Sequence, residues 1–233
     1  MPYAISLLET HNAGLAAMAS GERGLQGKMK LTAPNLIGRR IIMPVLSTLM
    51  ADNPGFKVDL TLTDGNMDLV GAGLDLAIRV SPLTTSELIA TRLAANPRVL
   101  CAAPSYIESK GRPRFVADLM DHDCLTLNVI PSWPFKVGDE VSWVRVDGRL
   151  TANSIEALLE ACLAGLGLAM LSYWDVEDRL ANGELISITI EDADLPELGV
   201  WGVYPTRKQI PGRTRTVIDA IREDLERRPF VKF

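Results

Sequence analysis

Two short stretches carry residues that could hold a small molecule: Thr32-Ala33-Pro34-Asn35 and Thr151-Ala152-Asn153-Ser154. Each sets small polar residues where an extended pattern gives way to a helical one. Helix starts leave backbone N–H groups unpaired, and these attract carboxylates and other anions, with Thr, Asn and Ser adding directional contacts. Either stretch alone reads rather as ordinary N-capping without a ligand. As a matched pair they leave two readings open on equal terms, plain capping or two helix ends facing a small anionic ligand.

A third stretch, EACLAGLGLAML from Glu160 to Leu171, contains a G-x-G and raises the alternative of a phosphate loop. Phosphate loops run strand, glycines, helix. Here the helix comes before the glycines, which excludes that reading. Gly165 instead suits the left-handed position after a helix, and Gly167 a close approach of helix and strand. Leu69 to Leu74 (LVGAGL) echoes Leu163 to Leu168 (LAGLGL), so each half is expected to leave a helix for a buried strand in the same way.

Catalytic and metal-binding signatures are absent. The two histidines are His11, on a helical pattern, and His122, between Asp121 and Asp123. His122 reads as a loop residue bonded to backbone or as a general base. Cys101, in VLCAAP, reads as a buried strand residue or as a nucleophile. No three His, Cys or carboxylate side chains share a metal-ligand spacing. No metal, cofactor or enzymatic activity is expected.

The elements that position these residues follow from periodicity. The patterns predict strands over 28–34, 58–64 and 74–80, and helices over 35–50 and 64–72. Strand alternating with helix is the mark of a parallel α/β layer. A second unit has strands at 89–93, 98–102 and 124–128, a helix at 105–110, and a hairpin turning at Gly138-Asp139. Asn153, with Glu156 three residues on, predicts the N-cap and capping box of a helix over 154–164. A strand at 168–171, a helix at 173–181, a strand at 199–204 and a last helix at 213–228 complete it. Tyr3 to Ser20 also reads as a helix, one that starts without a cap as if continuing from something longer.

Composition narrows the partners. The 233 residues are 47% apolar, enough for one large or two small cores, and 24 basic residues are set against 29 acidic ones, a net charge of -5. That balance suits direct nucleic-acid binding poorly, because gripping a phosphate backbone needs concentrated Lys and Arg. Cys101, Cys124 and Cys162 are odd in number and widely spaced, as in a reducing compartment. No apolar run reaches the roughly 18–20 residues of a membrane span, and the N-terminus lacks a basic signal region. A cytoplasmic location without membrane contact is expected.

Several pieces, in this order, resemble the effector-binding region of LysR-type transcriptional regulators: GERGLQGKMKLTAP; MPVLSTLMADNPGFKVDLTLTD; DLVGAGLDLAIRV; ATRLAANPRVLCAAPSYIESKGRP; DLMDHDCL; GRLTANSIEALLEACLAGLGLAML; and VWGVYPTR. Together they run from about Gly21 to Leu225. The resemblance implies a type 2 periplasmic-binding-protein-like α/β fold of two lobes joined by two crossing strands. A linker helix remnant would occupy residues 1–27, lobe one 28–102 plus 206–228, and lobe two 103–205. It implies an effector-sensing, dimeric or tetrameric module that meets promoter DNA only through an N-terminal winged helix-turn-helix missing from this sequence. The effector would sit between the lobes, near Thr32, Pro34, Asn35, Val80 and Ser81 of lobe one and Asn128, Trp133, Asn153 and Ser154 of lobe two. Arg79 could contribute, or could be structural, paired with Asp75 or another nearby acid. Dimers would use the stripe on 35–50 and the strand over 58–63. A stand-alone small-molecule binding protein of the same fold is the alternative.

Overall fold

A computed structural model describes residues 24–65, 68–69, 71–82, 89–128, 130–205 and 210–228; the expected helix over 3–20 lies outside them. The first sheet has the order β2-β1-β3-β12-β4. Its strands are β1 (Gly27–Ala33), β2 (Phe56–Leu62), β3 (Leu76–Ser81), β4 (Ile89–Asn96) and β12 (Leu198–Tyr204). β1 runs parallel to both β2 and β3, whereas β12 is antiparallel to β3 and β4. The second sheet has the order β11-β5-β10-β6-β9, from β5 (Arg98–Ala102), β6 (Cys124–Leu127), β9 (Thr151–Ala152), β10 (Leu168–Ser172) and β11 (Ile186–Ser187). A hairpin of β7 (Ser132–Val137) and β8 (Glu140–Arg145) stands apart from both. These are the two expected α/β lobes.

The chain passes from the first sheet to the second at Pro97 and returns between Ser187 and Leu198. By sheet membership both crossings therefore fall upstream of residues 102 and 205. Pro97 has no N–H to give to a ladder, so it ends β4 and lets β5 start in the other sheet.

The helices are α1 (Asn35–Ile37), α2 (Met43–Asp52), α3 (Pro104–Lys110), α4 (Ile155–Leu163), α5 (Tyr173–Ala181) and α6 (Gly212–Arg227). A 3-10 turn at Val116–Asp121 was not expected. The helix anticipated over 35–50 is present but interrupted: Gly38–Ile42 is a π turn between α1 and α2, closed by Met43 N–H to the Gly38 carbonyl. Pro44 explains part of this irregularity. It has no N–H to give to the Arg40 carbonyl, and Arg228 Nη2 donates to that oxygen at 3.4 Å instead.

The helix expected over 64–72 is not formed among the described residues, which lie in bends and turns. Likewise the N-cap of α4 is Ser154, one residue later than Asn153, and its hydroxyl accepts from Ala157 N–H at 3.5 Å. Glu156 consequently falls outside a capping box and pairs with Arg39 of lobe one.

The core is continuous from one lobe to the other. Leu31, Ile41, Ile78 and Ile221 of lobe one belong to the same buried cluster as Cys101, Leu158 and Leu171 of lobe two. Among the described residues no helix is long and apolar enough to cross a membrane.

The glycine exits match expectation in one half and differ in the other. Gly165 has φ 73°, the left-handed position after α4. A Cβ on Gly167 would lie 2.2 Å from the Asp123 carbonyl oxygen, so only glycine lets β10 approach that backbone. In the earlier echo it is the second glycine, Gly73, that is left-handed (φ 61°). Gly167→Ala should therefore lower the denaturation free energy by more than about 2 kcal/mol, against roughly 1 kcal/mol for Gly165→Ala. Urea titrations of both variants check this order.

Candidate functional site

A cavity of about 390 Å³ lies between the lobes. Lobe one contributes Pro34, Leu36 and Ile37 from the start of α1, Thr63, Asp64 and Gly65 after β2, and Arg79 to Pro82 at the end of β3. Lobe two contributes Arg98, Leu125, Leu127, Ser132, Trp133, Trp143, Ile155, Leu158, Ser172 and Asp175 among others. Loops after strands of a parallel sheet collect ligands, because helix starts and strand ends converge there. The walls are mainly apolar with a few polar groups, the usual constitution of a small-molecule site.

Of the nine expected residues, Pro34, Val80, Ser81 and Trp133 line the cavity. Thr32 is fully buried in β1, and its hydroxyl has no hydrogen-bond partner. Asn35 uses its backbone N–H, which donates to Asp64 Oδ1 at 2.9 Å. Asn128 is exposed in a turn, its N–H bonded to the Ala152 carbonyl. Asn153 is exposed, and Ser154 is occupied as the N-cap of α4. That helix therefore meets the cavity with Ile155 and Leu158 rather than with its polar start.

The first helix start is not left open to an outside anion. The protein's own carboxylate, Asp64, sits on it, and the Asp64 Oδ2 atom is buried without a partner. Opposite it, Asp175 in the first turn of α5 is buried, with Oδ2 2.5 Å from Ser172 Oγ. Burial pushes the Asp175 carboxyl up to about 6; the Ser172 bonds and Arg40 pull it down, and nearby Asp64 adds to the rise. Arg79 and Arg98 also face the cavity, and burial lowers the pKa of each. Arg98 Nη1 donates to the Pro196 carbonyl at 2.6 Å. Asp75 is engaged elsewhere, by Arg213 at 3.0 Å and by the Lys30 N–H at 2.8 Å.

Sequence reasoning missed Asp64, Arg98, Ser172 and Asp175. Asp64 stood at the carboxyl end of a strand, where α/β ligands gather, and that signal could have found it. Asp175 carried a different one, an acid between two apolar residues, Trp174 and Val176, that are both buried.

The other reactive candidates take structural roles. The Tyr106 hydroxyl and His122 Nδ1 are 3.2 Å apart, and burial lowers the histidine's pKa. Cys101 and Cys162 are buried against each other, and the contact with Cys162 together with burial holds the Cys101 thiol well up. Burial raises Cys124 to about 12. Neither Cys101 nor Cys124 is set to ionise as a nucleophile near neutral pH. Among the described residues no group of three or more His, Cys, Asp or Glu could hold a metal ion.

Two open-faced α/β lobes around one cavity define a ligand-binding domain of the type 2 periplasmic-binding class. The LysR substrate binding domain family matches residues 22–226, and the chain belongs to that family. The transcriptional regulator DmlR of Escherichia coli K12 is 31% identical over 206 residues, covering 85% of this chain and 65% of the relative. The transcriptional activator TtdR of Escherichia coli UTI89 is 33% identical over 183 residues, 77% of this chain and 58% of the relative. The chain thus spans about two thirds or less of these relatives' length. The regulatory domain of AphB from Vibrio vulnificus superposes with a TM-score of 0.67 at 26% identity, over 84% of this chain and 97% of that one. CrgA from Neisseria meningitidis gives 0.77 at 24% identity over 96% and 77%, a likeness of fold.

Asp175 sets a pH dependence whose sign can be worked out. The folded protein keeps its proton up to about pH 6, the unfolded chain only to about pH 4. Between those limits the folded state binds more protons, so stability is full below about pH 4 and is lost as pH rises through 6. Asp175→Asn lacks that loss, and its stability relative to wild type should grow by about 2–3 kcal/mol from pH 4 to pH 7. Urea denaturation across this range checks it; parallel pH profiles for the two proteins would contradict it.

Proposed function

We propose that this chain is the effector-sensing and oligomerisation domain of a LysR-type DNA-binding transcriptional regulator, and that its effector binds in the cavity between the lobes. The observation that carries this reading is the cavity itself, enclosed by residues of both lobes. A molecule held there touches both at once, so it binds one lobe arrangement better than another and shifts the population between them. The relatives named as transcriptional regulators and activators support the outcome: the shift is passed to an N-terminal DNA-binding domain. The acidic balance of this chain fits a module that leaves DNA to another domain and works in the cytoplasm.

Oligomerisation has support in the first lobe. β2 is an edge strand with Lys57, Asp59 and Thr61 exposed, and α2 exposes Met43 beside it. An edge strand and an adjacent helix are a common place for a second copy to join. In sedimentation the chain should be dimeric or larger without measurable affinity for duplex DNA, whereas a monomer at micromolar concentration would count against the assembly.

Thermal-shift screening of a metabolite panel tests the sensing role. A compound at about 100 times its Kd should stabilise by roughly 2.7 kcal/mol, or about 5–10 °C. Ser81→Trp, which fills the cavity from the end of β3, should erase that shift while leaving the unliganded melting temperature within a few degrees. A shift that survives the substitution would place binding outside the cavity.

A further inference from the structure

The charged groups of the cavity are arranged in a way that bears on which ligand it accepts. Asp64 enters from lobe one and Asp175 from lobe two, and Asp64 acts on Asp175 across the lobe boundary. Asp64 Oδ1 caps the start of α1 through the Asn35 N–H, while Oδ2 is closed off from water without a donor. Asp175 is only 7% exposed, with a serine hydroxyl as its side-chain neighbour. Arg40 offsets its charge from behind but donates to its backbone carbonyl, at 2.6 Å.

This end of the cavity therefore already holds its anion. A ligand carboxylate placed there would bring a third negative charge into a poorly solvated space. Among the described residues, the Asn35 N–H serves Asp64 Oδ1 and the Ser172 hydroxyl serves Asp175 Oδ2, which leaves Asp64 Oδ2 without a donor. Next to it the walls are apolar, with Ile37 and Leu36 on one side and Leu125, Leu158 and Trp133 on the other.

We infer that the cavity takes a ligand with a protonated primary amine directed at Asp64 and Asp175 and a flat apolar body lying along Ile37, Leu158 and Trp133, in preference to a simple carboxylic acid. The inference rests on the reading that the effector binds in this cavity. An ammonium group carries three donors and can serve carboxylates on both lobes at once. Each lobe supplies one acid, so the amine draws the lobes together and favours the closed arrangement. Arg79 and Arg98 line the cavity as well, and Arg40 acts on Asp175. An amino acid, with a second and anionic group, is thus compatible with the site alongside a plain amine.

Three probes with the same ring and different head groups test this: 2-phenylethylamine, phenylalanine and 3-phenylpropionate, each titrated in calorimetry and thermal shift. The variants are Asp64→Asn, whose amide oxygen still accepts the Asn35 N–H, and Ser81→Trp, which blocks the cavity. The expected result is that one or both amines stabilise the wild type at millimolar concentration and 3-phenylpropionate does not. Asp64→Asn should then weaken amine binding at least tenfold, and Ser81→Trp should abolish it. If 3-phenylpropionate alone binds, and Ser81→Trp removes it, the ligand class is overturned while the cavity reading stands. If amine binding survives Ser81→Trp, the ligand lies elsewhere and the inference falls. No shift from either amine also overturns the ligand class.

Discussion

Arg40 ties the two lobes together, and the shape of the cavity depends on that tie. It projects from the π turn of lobe one onto α5 of lobe two, where Nη2 lies 2.7 Å from Asp178 Oδ1 and 3.8 Å from Glu177 Oε1. Its other nitrogen, Nη1, holds the Asp175 carbonyl. Arg228, at the end of α6, closes the network by pairing with Glu177 at 3.1 Å and Asp224 at 2.8 Å. Burial of Glu177 raises its pKa despite both arginines, so the pair sits where charge is costly to leave unpartnered. A further lobe-to-lobe pair among the described residues, Arg39 with Glu156, has 59% of the arginine side chain exposed against 22% for Arg40. Exposed pairs contribute little, so the orienting role falls on Arg40.

The clamp and the cavity share a backbone. The same first turn of α5 whose carbonyl Arg40 holds presents Asp175 to the cavity, and α1, one turn before Arg40, presents Leu36 and Ile37. A ligand that moves Asp175 or α1 therefore acts directly on the contact that fixes the lobes. This is the physical content of sensing in a two-lobed protein: differential contacts with two arrangements of the same rigid parts. The π turn gives that junction its irregularity, and Pro44 leaves the Arg40 carbonyl free for Arg228.

Most of the fold was legible because it is written in local patterns. The alternation in VDLTLTD, the buried run LDLAIRV and the Asn-Gly stop after α5 depend on neighbouring residues alone. The GLG segment was legible in more detail, as a left-handed helix exit followed by a tight approach. What was not legible depended on tertiary contacts. The π turn is a helix to any periodicity test, and the 64–72 stretch has helical spacing without forming one. For the site, Pro34, Val80, Ser81 and Trp133 were placed through family resemblance, while polar residue type drew attention to Asn153 and Ser154. Their helix turns its apolar side to the cavity instead. Asp64 and Asp175 offered only indirect signals, a strand end and an apolar setting, because an acid that caps another element's helix, as Asp64 does 29 residues from Asn35, leaves no mark in sequence spacing.

The central claim is that the Arg40 network sets the lobe arrangement enclosing the cavity. Pulsed electron resonance between spin labels on Glu160→Cys of α4 and Arg215→Cys of α6 measures that arrangement directly, since both positions are exposed and the three native cysteines are buried. A single narrow distance distribution in the otherwise wild-type protein, replaced by a longer or clearly broader one in Arg40→Met, is the predicted result. The same narrow distribution in both proteins would contradict the account.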